Sequence, residues 1–159
     1  KDERIVENDK RMAATETAKV QELGVIPITL PDNRGQQRSL TDLKGKVVML
    51  DFHVFASDAS AKRIMELRKL YDKYHAQGFE IYQISYDTNE HFFKTQTEAL
   101  PWICVWDPEG AESQTLVSYN IQSIPTYFII DRANKLQKRD VQIQDLDAEI
   151  QHWLGQPAQ

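Results

Sequence analysis

The sequence predicts an α/β fold, a central mixed β-sheet flanked by helices, on three observations. Val47, Val48, Met49, Leu50 and Phe52 form a nearly continuous apolar run, as expected of a strand covered on both faces. A stripe of Ile64, Leu67, Leu70, Tyr71 and Tyr74 at helical spacing follows, and then a second apolar run from Phe79 to Tyr86. Strand, helix and strand of this length read as a right-handed crossover between parallel strands. Finally, a proline stands before the run Ile124 to Asp131, and a turn over residues 132–134 returns it as Lys135 to Arg139, an antiparallel hairpin.

The remaining elements fall into place around these. Residues 1–24 are polar, with Ile5, Met12, Val20 and Leu23 near helical spacing and Gly24 as a stop; they are expected to form a helical extension or linker. Val25 to Leu30 contains Pro27, which suits an edge strand, and the Pro31 to Gly35 turn lets Gln37 to Leu40 return as an N-terminal hairpin. A short helical turn at Thr41 to Leu43 leads into the first central strand. Ser57 has the chemistry of an N-cap for the long helix, with Asp58 at its positive end. Thr88 or Asn89 can cap a shorter helix ending near Leu100, and Trp102 to Trp106 reads as a short strand. Asp107 to Gly110 carry turn preferences, and a helix with Leu116, Val117 and Tyr119 follows. Leu146, Ile150, Trp153 and Leu154 form a last helix stripe behind the cap Asp145, closed by Gly155. The expected divisions are an extension at 1–24, one domain at 25–155 and a tail at 156–159.

Composition narrows the function classes. A chain of 159 residues with 41% hydrophobic and 27% charged residues fits one globular domain with one core. The net charge of -5 is mixed along the chain, without a basic cluster to meet nucleic acid. No apolar run is long enough to span a bilayer, and the opening KDER is not a signal peptide. A single cysteine, Cys104, excludes an intramolecular disulfide and a cysteine-based zinc site. The histidines at 53, 75, 91 and 152 have no metal-site spacing, so neither metal nor cofactor is expected.

Two segments carry a family resemblance: ITLPDNRGQQRSLTDLKGKVVMLDF as entry hairpin and first central strand, and YNIQSIPTYFIIDRANK as a proline loop and hairpin. In this order and spacing the chain, from Val25 to Leu154, resembles the thioredoxin-like thiol-disulfide oxidoreductases of the TlpA and ResA type, grouped with the AhpC/TSA proteins. The resemblance implies a thioredoxin-like fold, a cis-proline at Pro125, and a bacterial cell-envelope location.

The segment that should carry the chemistry departs from the family pattern. Where the family has W-C-x-P-C, this chain has Ala56, Ser57, Asp58, Ala59 and Ser60, with His53 at a position where tryptophan is usual. Disulfide exchange needs a thiolate to attack and a second sulfur to leave, and a serine hydroxyl does neither. No dithiol cycle can run at Ser57 and Ser60, and the peroxidatic cysteine of a peroxiredoxin is missing from the same helix start. A hydrolytic role for the serines needs a base in reach. His53, four positions before Ser57 on a strand, is not thereby aimed at it. Asp51 matches the buried acid that some thioredoxins use to deprotonate their second cysteine, but here it faces no thiol. Cys104, between Ile103 and Val105 and on a face with Trp102 and Trp106, reads as core.

The family's peptide-binding function needs no sulfur. Backbone beside the cis-proline, at Ile124, pairs with an extended peptide in the family, which implies a docking surface at Ser57, Asp58, Ser60, Ile124, Pro125 and Thr126. The expectation is a redox-silent module binding a peptide or protein segment, with an upstream domain of the same chain as another partner. The competing expectation is an active oxidoreductase or peroxiredoxin-like antioxidant protein, working through Cys104 or through cysteines for which Ser57 and Ser60 have been substituted.

Overall fold

The structure, a computed structural model, describes residues 24–157. The helix expected over residues 1–23 and the last two residues of the tail lie outside them. Five strands form the central sheet in the order β5-β4-β3-β6-β7: β3 (Val47–His53), β4 (Phe79–Ser85), β5 (Ile103–Trp106), β6 (Thr126–Ile130) and β7 (Leu136–Arg139). The strands β3, β4 and β5 run parallel, while β6 is antiparallel to β3 and β7 to β6. This is the expected mixed sheet. A separate antiparallel hairpin of β1 (Thr29–Pro31) and β2 (Gln37–Ser39) precedes it, tied to β5 by a bridge between Asp32 and Val105. The first strand is shorter than Val25 to Leu30; Val25, Ile26 and Ile28 are buried, packing the incoming chain against the core.

Helices are α1 (Ser60–Tyr74), α2 (Glu90–Thr97), α3 (Gln114–Ser118) and α4 (Leu146–Leu154). Asn89, Ser113 and Asp145 cap the last three by accepting from early backbone amides. The long helix α1 ends through a 3-10 turn at Gly78, whose φ of +104° suits a residue without Cβ.

Alternation along β3 divides the core. Val48, Leu50 and Phe52 face one side with Val25, Ile28, Leu40, Tyr82, Tyr119 and Phe128. Val47 and Met49 face the other with Leu67, Tyr71 and Tyr74 of α1, Phe93 of α2 and Ile150 of α4. All seven residues of β3 are buried, so Asp51 and His53, next in the row after Val47 and Met49, are carried under α1. That placement is what builds the site.

Candidate functional site

A row of side chains crosses the sheet at the level of Asp51. The register sets Tyr127 of β6, Asp51 of β3, Gln83 of β4 and Cys104 of β5 side by side. A charge buried in such a place needs partners. Arg63, from the first turns of α1, donates from Nη2 to Asp51 Oδ1 at 2.6 Å, and Gln83 Nε2 donates to Asp51 Oδ2 at 2.9 Å. Gln83 Oε1 then accepts from Trp102 Nε1 at 2.9 Å, and the Cys104 thiol lies 3.8 Å from the same oxygen. The Arg63 guanidinium sits 4.9 Å from the centroid of the Tyr127 ring, a cation–π contact that extends the row to β6.

One step nearer the end of β3, His53 Nε2 lies 2.7 Å from Ser60 Oγ, and both residues are buried. The Phe55 ring meets the imidazole edge-on at 4.4 Å between centroids. Burial holds the imidazole below its usual pKa, the negative charge of Asp51 opposing that shift and Arg63 reinforcing it. The histidine therefore engages Ser60, not Ser57.

Asp87, just beyond β4, fixes the loop between β3 and α1. Its Oδ2 accepts from Phe55 N at 2.8 Å and from Ser85 Oγ at 2.7 Å, and its Oδ1 accepts from Ala56 N at 2.9 Å. Ser57 is not the N-cap of α1. The helix begins at Ser60, and the Ser57 hydroxyl accepts from Ala59 N at 3.3 Å within a tight turn closed by Ser60 N to Ser57 O at 3.0 Å.

The Ile124–Pro125 peptide bond is cis, and its loop meets this turn. A notch of about 30 Å³ is lined by His53, Val54, Ser57, Ala59, Ser60, Arg63, Ile124 and Pro125. A broader open groove of about 820 Å³ lies beyond Val54 and Ala56, against Tyr86, Asp87 and the α2 residues His91 and Phe92. The smaller notch holds the residues whose chemistry is in question; the larger groove has none of them.

Of the residues singled out from sequence, Ser57, Ser60, Ile124 and Pro125 meet at the notch. Asp58 is exposed beside it. Thr126 is buried, paired with Phe52 in the sheet and donating to Ser123 O at 2.6 Å, so its side chain does not face a ligand. Asp51 lies beneath, occupied by Arg63 and Gln83. Cys104 is 3% exposed, and burial pushes its thiol pKa up, far from the thiolate. Arg63, Gln83 and Asp87 went unforeseen, as did the engagement of His53 with Ser60. The readable signal was alternation: Asp51 and His53 share a face of β3, and Ser60 and Arg63, three apart, share a face of α1.

The AhpC/TSA family profile matches residues 24–139, most of the chain. The chain belongs to the AhpC/TSA family. It is similar, at 50% identity and a TM-score of 0.78 over 82% of this chain and 86% of the other, to an uncharacterized thioredoxin-like protein from Bacteroides vulgatus. Thiol-disulfide oxidoreductase ResA of Bacillus subtilis is 27% identical over 69% of this chain and 60% of its own length. Nucleoredoxin of Xenopus laevis is 27% identical over 84% of this chain. The chain spans about a third of that nucleoredoxin, 34% of its length. The fold is thus thioredoxin-like, and thiol-disulfide oxidoreductases are among the relatives of the chain.

Proposed function

We propose that this domain is a redox-silent binding or scaffolding module, its ligand an extended peptide or protein segment at the proline loop. The observation that carries the reading is that both hydroxyls at the exchange positions stand beside Pro125 while the sole thiol is buried elsewhere. The binding surface is Ser57, Asp58, the Ile124 backbone and Pro125, with Ser60 at the floor of the notch; Thr126 contributes only through the strand it begins. Main-chain pairing at Ile124 supplies affinity without covalent chemistry. An upstream domain of the same chain, joined through residues 1–24 as an extension or linker, is a second candidate partner. A bacterial cell-envelope location, implied by the sequence resemblance, belongs to the same proposal.

The oxidoreductase alternative through Cys104 is disfavoured by that residue's burial and raised pKa. An insulin-reduction assay with dithiothreitol separates the two: the reading expects no turnover above the reagent's own rate, and turnover lost in Cys104→Ser would overturn it. Titration of extended peptides against wild type and Pro125→Ala tests the docking surface. Weaker binding by the variant is expected, and equal binding counts against this location.

A further inference from the structure

Dithiol exchange cannot use the pair His53 and Ser60, and peptide docking does not need it, yet it is built and enclosed. His53 is 2% exposed and Ser60 7%. Their contact of 2.7 Å is a full hydrogen bond, and His53 Nδ1, with no hydrogen-bond partner, lies 3.7 Å from Asp51 Oδ2. That second distance selects the tautomer. With the proton on Nδ1, a positive edge faces the carboxylate; with the proton on Nε2, a lone pair would face it. The favoured form therefore leaves Nε2 to accept the Ser60 hydroxyl proton, the arrangement a general base requires. The groups facing the ring are Asp51 from its own strand, Arg63 and Ser60 from α1, and Asp87 from beyond β4.

The notch above Ser60 sets the size of what can react. Its volume of about 30 Å³ admits only a small group.

We propose that Ser60 is a nucleophile for small acyl groups, acetyl esters above all, with His53 as its base. Ser60 Oγ bonds to the acyl carbon as its proton passes to His53 Nε2. The bond from that carbon to the leaving oxygen breaks, and the departing alcohol takes the proton from His53. Water reverses the sequence, giving carboxylic acid and free Ser60, with no change of oxidation state. This inference rests on the buried pair and the notch above it and not on peptide docking, so failure of docking leaves it standing.

The test is labelling with a small fluorophosphonate and hydrolysis of 4-nitrophenyl acetate, read by intact and peptide mass. One adduct on Ser60 is expected, absent in Ser60→Ala. Labelling should fall about a hundredfold in His53→Gln, as for loss of a general base. The wild-type rate should rise with pH through a titration below about 6.5, the ordinary histidine value. An adduct on Ser57, no adduct on folded protein, or an undiminished rate in His53→Gln overturns the proposal. Ser60→Cys, nearly isosteric, guards against misfolding of the other variants. Its thiol should be acetylated by 4-nitrophenyl acetate faster than free cysteine at pH 7, and a rate no faster also overturns it.

Discussion

Arg63 Nη2 and Asp51 Oδ1 lie 2.6 Å apart, joining the start of α1 to a strand residue with no solvent exposure. Arg63 closes a charge that the fold would otherwise bury alone, and its side chain reaches partial exposure at 18%. Removing only one member is therefore costly. Arg63→Ala is expected to lower stability by about 3 kcal/mol, toward the low end for a broken buried pair because water can reach the gap. Asp51→Leu with Arg63→Met should recover only part of that loss, since replacing both charges leaves no charge unpaired but takes the acceptor from the buried Gln83 amide. Urea unfolding of the two variants and wild type measures it; a double variant as unstable as Arg63→Ala would show that the pair is not the cause.

Asp87 holds the loop before α1 by accepting from Phe55 N, Ala56 N and Ser85 Oγ. Asp87→Ala strands three donors, of which the Ala56 amide can regain water. A loss of about 2–3 kcal/mol is expected, less than three full penalties of about 1–3 kcal/mol each. Hydrogen exchange should accelerate first at Phe55 and Ala56, ahead of β3. Uniform acceleration across the sheet would mean that Asp87 stabilises the whole fold and not this loop.

The fold was legible because its signals are periodic. The apolar run of β3, the stripe of α1 and the proline before β6 each carry a pattern that survives without knowledge of partners. Asn89 and Asp145 were readable as caps because their bonds are local. The site was readable only by position. Ser57 looked like a cap because serine before a helix usually is one, but the turn at 57–60 places the helix start at Ser60. Arg63 to Asp51 and Trp102 to Gln83 join residues 12 and 19 apart along the chain, and Asp87 to Ala56 spans 31. Such pairings follow from strand register, which no local pattern encodes. The lateral row from Tyr127 to Cys104 exists only once β6, β3, β4 and β5 have been laid side by side.

Cys104 offers a direct measure of how closed that row is. Its thiol is 3% exposed and its pKa is pushed up by burial, with Asp51 and Glu80 adding repulsion toward a thiolate. Reaction with Ellman's reagent in native buffer should be slower than in urea by about a thousandfold or more, because it must wait for opening that costs at least about 5 kcal/mol. The native rate should climb with urea as global stability falls. Fast reaction at zero urea would expose the thiol and revive a redox role for it.

His53 should make the domain sensitive to mild acid. Burial depresses its folded-state pKa below the ordinary value of 6.5, so between the two values the unfolded chain binds a proton that the folded chain does not. Stability contributed by the neutral ring is then complete above about 6.5 and falls as the pH drops toward the folded pKa. One proton limits the slope to about 1.4 kcal/mol per pH unit. His53→Gln, which has an amide in place of the imidazole, removes this contribution and leaves those of the carboxylates. Urea midpoints between pH 7.5 and 5.5 should therefore fall more steeply for wild type than for His53→Gln. Equal slopes would mean that protonated His53 is accommodated between Asp51 and Ser60.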